Sequence, residues 1–216
     1  MKVHHLAVKN SILHQFLCEI RSLSSQHDRM RFRRNIERIG EILGYELSKT
    51  LHYHHKEIHT PLGTKQVNLM NDQIVLCSVL RAGMPLHQGL LNYFDCAENA
   101  FISAYRKHTS ETDFKIVVEY LATPNLEDKI LILADPMLAT GQSLVATYEA
   151  IIKNGTPKEI HLAAVIGAQE GVDFIADKFP EQTNLWIADI DPHLNGKGYI
   201  VPGLGDAGDL SYGCKL

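Results

Sequence analysis

Between Lys129 and Ser143 the chain reads KILILADPMLATGQS, an apolar run that stops at an aspartate and gives way to small and hydroxyl-bearing residues. Thr140 and Ser143 bring hydroxyls that donate to phosphate oxygens, and Gly141 lacks the Cβ that would keep a backbone from closing around them. An apolar run of this kind suits a strand of an open α/β sheet, with a helix opening near Ser143. Unpaired helix N–H groups and a partial positive charge would then meet at the strand's carboxyl end, where such sheets bind anions. The segment Asp135, Pro136, Met137, Leu138, Ala139, Thr140, Gly141, Gln142 and Ser143 is thus predicted to cradle a phosphate. The Asp135 carboxylate would repel phosphate, so it suits ribose hydroxyls or the water shell of a magnesium ion. The segment is neither a GxxxxGKS or GxxxxGKT Walker loop nor a GxGxxG dinucleotide fingerprint. A helix merely capped by Ser143 after a tight turn is the competing reading of these residues taken alone.

Two arginines close predicted strands: Arg81 in SVLRAG, from Ser78 to Gly83, and Arg106 in AYR, from Ala104 to Arg106. Guanidinium groups engage phosphate oxygens bidentately and stay protonated, which suits neutralising a highly charged leaving group. A strand-end surface charge is the bland alternative for each. The polar segment from Lys107 to Asp113, KHTSETD, reads either as a mobile lid over a reactive centre or as an ordinary exposed loop. Near the C-terminus YIVPGLGDAGD, from Tyr199 to Asp209, carries glycines at 203, 205 and 208, which break regular structure and bring backbone close to whatever lies there.

The elements that must position these groups follow from periodicity. Phe32, Ile36, Ile39, Leu43 and Leu47 recur at spacings of three and four, which predicts a helix within Asp28 to Lys49. Its other face carries Arg29, Arg31, Arg33, Arg34 and Arg38, read as a solvated charge run. From Thr50 to Met70 two extended runs flank Pro61-Leu62-Gly63, the pattern of a β-hairpin arm, which has little core of its own and would pack on something else such as a second subunit. Continuous apolar runs then alternate with helical stretches in the manner of a parallel sheet buried on both faces. Strands are predicted at Ile74 to Leu80, Ala100 to Tyr105, Lys115 to Leu121, Lys129 to Ala134, Ile160 to Ile166 and Leu185 to Asp189. Helices are predicted near Pro85 to Phe94, Ser143 to Asn154 and Gly171 to Lys178. The reading is one α/β domain over residues 1–216: N-terminal helices at 11–49, the arm at 50–70, a core at 71–190 and a C-terminal segment at 191–216.

With 45% hydrophobic and 21% charged residues the chain can bury a core, so it is not of a disordered type. A net charge of -4 supplies no overall basic field for a nucleic-acid backbone. Cys18, Cys77, Cys96 and Cys214 form no CxxC pair, which argues against a zinc ribbon or a secreted disulfide framework and for reduced thiols. No apolar run approaches a membrane span and MKVHHLAVKN lacks a signal-peptide core, so a cytoplasmic protein without membrane partners is expected. Of the twelve histidines, His52, His54 and His55 cluster in the arm, without the further ligands that a metal site needs.

DPMLATGQS resembles the DPMLATGGS loop of uracil phosphoribosyltransferases, and SVLRAG, AYR and YIVPGLGDAGD follow in that family's order. Together they cover most of the chain from Arg21 onward, and DRMRFR resembles the family's N-terminal helix start. The resemblance implies a type I phosphoribosyltransferase fold, a parallel sheet flanked by helices with a small C-terminal hood. It implies transfer of the phosphoribosyl group of 5-phosphoribosyl 1-pyrophosphate (PRPP) to uracil, giving UMP and pyrophosphate, with Mg2+ held mainly through PRPP and water. On that footing Arg81, Arg106 and Asp206 are the expected catalytic residues, and these three with residues 135–143 bind PRPP. Ile200, Gly205, Asp206 and Ala207 would hold uracil, whose N–H and C=O groups suit main-chain partners and whose mismatch with cytosine would leave buried polar groups unpaired. A homo-oligomer, a dimer or larger, is the family expectation, and GTP is an effector in some members. Gln142 stands where the family has a second glycine, Pro85 follows Met84 where a glycine is usual after RAG, and GAQEG, with Gln169, replaces a commoner PEG ending. A phosphoribosyltransferase for another base, or an RNA-binding regulator that keeps the fold, are the competing functions; the C-terminal motif argues against the first and the net charge against the second.

Overall fold

The computed structural model describes residues 1–108 and 114–215, with the side chains of residues 104–118 outside that description. The predicted lid, Lys107 to Asp113, falls almost wholly outside the described residues; Lys107 and His108 belong to a strand.

The chain runs β1 (Lys2–His5), α1 (Leu13–Arg21), α2 (Arg29–Ser48), then the arm strands β2 (Tyr53–Thr60) and β3 (Gly63–Met70). The core follows as β4 (Ile74–Leu80), α3 (Met84–Leu91), β5 (Glu98–His108), β6 (Phe114–Ala122), β7 (Ile130–Ala134), β8 (Met137–Leu138), α4 (Gln142–Ile151), β9 (Glu159–Ala168), α5 (Gln169–Ala176) and β10 (Asn184–Asp191). A small hairpin, β11 (His193–Leu194) with β12 (Ile200–Val201), and α6 (Ala207–Tyr212) close the chain.

The main sheet has the order β1-β10-β9-β7-β4-β5-β6, with β8 pairing on β9. All its pairings are parallel except β5 with β6. The parallel α/β architecture read from the apolar runs is therefore present, with one correction: β6 runs antiparallel along β5, the stretch 109–113 between them being too short for the crossover that a parallel pair needs. β1 is an addition, since KVHH carries too short a pattern to be seen, and it is ordered by pairing along β10.

Apolar runs become two-sided strands through simple alternation. Along β4, Ile74 and Leu76 face a cluster with Phe32, Ile39, Leu43 and Leu86 of α2 and α3, while Val75, Cys77 and Val79 face a second cluster with Leu144, Ile151 and Ile175 of α4 and α5. Ile130 and Ile132 against Leu131 and Leu133 do the same on β7. Each such side chain, once fully buried, stabilises the fold by about 1.5–3 kcal/mol through loss of apolar surface to water. The periodic face of α2 is buried as predicted, its Asp28 N-cap accepting from Arg31 N. The arginine face is largely paired: Arg31 with Glu19 at 2.7 Å, Arg34 with Glu37 at 2.6 Å, and Arg33 donating to the Ser211 carbonyl at 2.6 Å. The arm is a ladder from Tyr53↔Met70 to Thr60↔Gly63, exposed along nearly its whole length.

Candidate active site

Strand order reverses beside β4: its next strand in sequence, β5, lies on one side and β7 on the other. Such a switch point opens a crevice at the carboxyl ends of the strands. Ser78 of β4 pairs with Ala134 of β7, and Leu80 pairs with Ser103 of β5. The turn carrying Arg81 and the loop beginning at Asp135 therefore leave the sheet side by side. Arg106 lies three residues past Ser103, opposite Ile116, where β5 pairs only with β6. It does not end its strand, as predicted; the β5–β6 hairpin continues beyond the sheet and carries Arg106 out over that edge.

In the loop, Met137 and Leu138 pair with Ile166 and Gly167, so β9 guides the chain towards α4. Helix α4 starts at Gln142 with Gly141 as N-cap at φ +76°, and no side chain caps it. Ser143 sits inside the first turn rather than capping it, so the first helical N–H groups, which by geometry have no intrahelical partner, face the loop. Thr140 Oγ1 accepts from Gln142 N at 3.5 Å, and Gln142 is exposed at the helix mouth.

Gly141 has a further reason for being glycine. A Cβ there would come 2.6 Å from Ile175 Cγ2 and 3.0 Å from Phe174 Cδ1, so the residue lets α5 press on the loop from behind. Gly171 of α5 does the same from the other side, a Cβ there running into the Ala139 carbonyl. The GAQEG variant thus keeps the glycine that the loop's backing requires.

Asp135 is half-buried, and removal of water from its carboxylate pushes its pKa up from 3.8 to about 6, against the single hydrogen bond from Met137 N at 3.2 Å. A carboxyl so poorly compensated is poised for partners that a ligand would bring. It fits the predicted roles, accepting from ribose hydroxyls or from water on Mg2+. No cluster of three or more His, Cys, Asp or Glu side chains that could hold a metal occurs among the described residues.

Beneath Arg81 a relay runs from the exposed Asn99 to the buried His87 and Ser78. Asn99 Nδ2 donates to the Ala97 carbonyl at 3.0 Å, leaving Oδ1 to accept from His87 Nε2 at 2.7 Å; His87 Nδ1 then accepts from the Ser78 hydroxyl at 2.7 Å. Burial lowers the His87 pKa, with the Asn99 bond opposing. The neutral imidazole thereby ties β4, α3 and β5 together just below the turn. Arg81 itself is exposed, and its Nη2 donates to Asp209 Oδ1 at 3.3 Å and to the Gly213 carbonyl at 3.1 Å.

The hood segment crosses the same edge. Ile200 is buried on β12, Gly205 is exposed with nothing within 4 Å of where a Cβ would stand, and Ala207 is buried as the first residue of α6. Asp206, expected at the ligand, is the N-cap of α6: Oδ1 accepts from Asp209 N at 2.9 Å, and Lys215 Nζ stands 3.8 Å from Oδ2. A cleft of about 340 Å³ has Gly205, Asp206 and Asp209 in its wall, facing Gln26, His27 and Arg29. One support was invisible in the sequence. Arg21 at the end of α1 donates to Asp189 and Asp191, each at 2.8 Å, and to the Gly203 carbonyl at 3.0 Å, bolting the hood turn to the end of β10. A basic residue in a helix's last turn gives no hint of such long-range partners.

The family model described as uracil phosphoribosyltransferase matches residues 7–214. A Porphyromonas gingivalis protein named uracil phosphoribosyltransferase is 50% identical over 216 residues, covering 100% of both chains. The chain belongs to the uracil phosphoribosyltransferase family. A Thermococcus gammatolerans protein of the same name is 38% identical over 205 residues, covering 94% of this chain and 89% of that one. The solved structure of the AQ2163 protein from Aquifex aeolicus superimposes with a TM-score of 0.86 at 31% identity, covering 99% of each chain.

Within the uracil phosphoribosyltransferase pattern the departures have simple settings. Pro85 is in the first turn of α3, where its missing N–H is not required. Gln169 opens α5 and its Nε2 donates to Asp173 Oδ1 at 2.8 Å. Nothing in the structure explains why position 142 is glutamine.

Proposed function

We propose that this protein transfers the phosphoribosyl group of PRPP to uracil, with the residues placed above in the following roles. The reading is carried by the switch point, where a helix mouth with glycine at its N-cap and the carboxyl of Asp135 lie beside the guanidinium of Arg81, which reaches the hood. Loop amides with the Thr140 and Ser143 hydroxyls hold the 5′-phosphate, and Asp135 orients the ribose. The bond from the anomeric carbon to pyrophosphate breaks with its electron pair leaving on oxygen, while uracil N1 bonds to that carbon and its proton passes to the departing pyrophosphate. Arg81 and Arg106 neutralise the departing pyrophosphate, an interaction that strengthens as charge develops. The backbone of Ile200 and of Gly205 to Ala207 reads the uracil edge, and Asp206 holds those residues in place by capping α6. Mg2+, when bound, neutralises pyrophosphate oxygens.

Three further features belong to this reading. The arm carries Leu62 fully exposed at its tip with Tyr53, Ile58 and Leu69 also exposed, which supports its packing on a second subunit. The chain's membership of the family brings GTP in as a candidate effector. No described helix is long and apolar enough to cross a membrane, and a cytoplasmic location is part of the proposal. The test is pyrophosphate release from PRPP and Mg2+ with uracil, cytosine, hypoxanthine or xanthine, with and without GTP. Release with uracil is expected; release with a purine but none with uracil overturns the reading. Light scattering of the full chain against one lacking residues 53–70 checks the subunit contact.

A further inference from the structure

The contact of Arg81 with α6 uses a particular part of the guanidinium. An arginine offers two bidentate edges, Nη1 with Nη2 and Nε with Nη2, so Nη2 belongs to both. That nitrogen has two hydrogens, and here it donates to two acceptors, Asp209 Oδ1 at 3.3 Å and the Gly213 carbonyl at 3.1 Å. Among the described residues no other partner of Arg81 occurs, so Nε and Nη1 remain available yet form no fork by themselves.

Resting on the function proposed above, we infer that Asp209 is an internal stand-in for pyrophosphate: it holds Arg81 on the hood helix and must be exchanged for phosphate oxygens when PRPP binds. Three observations support this. The two acceptors take both hydrogens of Nη2, the nitrogen that either phosphate-binding edge needs. The Asp209 carboxylate also puts a negative charge against the arginine meant to attract an anion, so it opposes the ligand twice. Finally, the pair is open to water, with Arg81 at 42% and Asp209 at 32% side-chain exposure, so it contributes little to folding and exchanges readily. Since α6 begins at Asp206 and Ala207, release of Arg81 is felt where the base is read. Asp209 is a positioning residue, not a catalytic one.

Asp209→Asn separates this role from helix stability, because the cap of α6 uses the Asp209 backbone N–H and not its side chain. The experiment is calorimetric binding of inorganic pyrophosphate in Mg2+ buffer, with steady-state kinetics and thermal melts beside it. The variant is expected to bind pyrophosphate about three- to tenfold more tightly, to lower KM for PRPP alike, and to keep its KM for uracil and its Tm. In an Arg81→Ala background the same change should have no effect on pyrophosphate affinity, and Asp209→Glu should stay near the parent. Equal or weaker binding by Asp209→Asn, or no binding by either protein, overturns the assignment. Binding does not depend on which base is used, so an enzyme that fails with uracil while Asp209→Asn still binds more tightly would sink the functional reading and leave this one standing.

Discussion

At the edge of the sheet where the strands begin, Trp186 Nε1 donates to His161 Nδ1 at 3.0 Å, His161 Nε2 faces Glu159 at 3.4 Å, and the His4 ring stacks on Trp186 at 3.7 Å. Asp72 takes Lys158 at 2.5 Å and the His52 backbone N–H at 2.7 Å. Burial lowers the His161 pKa, against the pull of Glu159, so the ring stays neutral and both its nitrogens are engaged. At the opposite edge Asp135 has one hydrogen bond, Arg81 keeps three N–H groups without a partner among the described residues, and α4 begins with no side-chain cap. The two edges use similar polar residues. One satisfies them internally and is structural; the other leaves them for a ligand, at some expense in stability. A second cleft, of about 230 Å³ between Tyr148, Lys158 and Thr183, lies at the satisfied edge; in its wall Lys158 is held by Asp72 and Glu159 faces His161, while the Thr183 hydroxyl is buried.

Four measurements can break or sharpen that contrast. The largest effect is expected at the arginines: Arg81→Ala and Arg106→Ala should each lower kcat/KM by about 10²–10³ if each aids the departing pyrophosphate. An unchanged value for either would remove that residue from the site. Next, Gly141→Ala forces a side chain into positive φ and into Ile175, and should destabilise the fold by about 1–3 kcal/mol in denaturant melts. A neutral result would mean the loop is not held from behind by α5.

Asp135 provides the third. Its folded pKa of about 6 lies above the ordinary 3.8, so its protonated form stabilises the fold at low pH and that contribution is lost as pH rises through about 6. Asp135→Asn should therefore be more stable than the parent by about 1–2 kcal/mol at pH 7.5, less than the whole shift because part of the carboxyl remains wet. The gain should shrink as pH falls from 6 towards 4, and activity should fall at every pH. A variant less stable at pH 7.5 would show that the carboxyl is already satisfied. The smallest effect belongs to the arm: His54→Ala and His55→Ala should leave kcat/KM within about twofold, as surface changes away from special features usually do. A tenfold loss would give the arm histidines a chemical role.

How much of this was legible depended on whether a feature is local. DPMLATGQS, SVLRAG and YIVPGLGDAGD declared their chemistry because small, hydroxyl and guanidinium residues at strand ends have few other uses. The face of α2 and the Pro61-Leu62-Gly63 turn were equally readable from spacing. What escaped was long-range or directional. β6 reads as another apolar strand, and only its pairing with β5 shows that it runs back. Asp206 reads as a ligand group, and only the structure shows that it also caps α6. Gly141 looked like room for phosphate and also makes room for Ile175.

The sequence by itself determined which residues are chemically able to act and which runs must be buried, because side-chain type and period are properties of short stretches. Tertiary structure alone decided which of them meet. Arg81 and Asp209 are 128 residues apart, and Arg21 and Gly203 are 182 apart, so no local rule connects them. Their contacts exist because the strand order reverses beside β4 and the hood folds back over that edge, bringing distant donors and acceptors within hydrogen-bond reach.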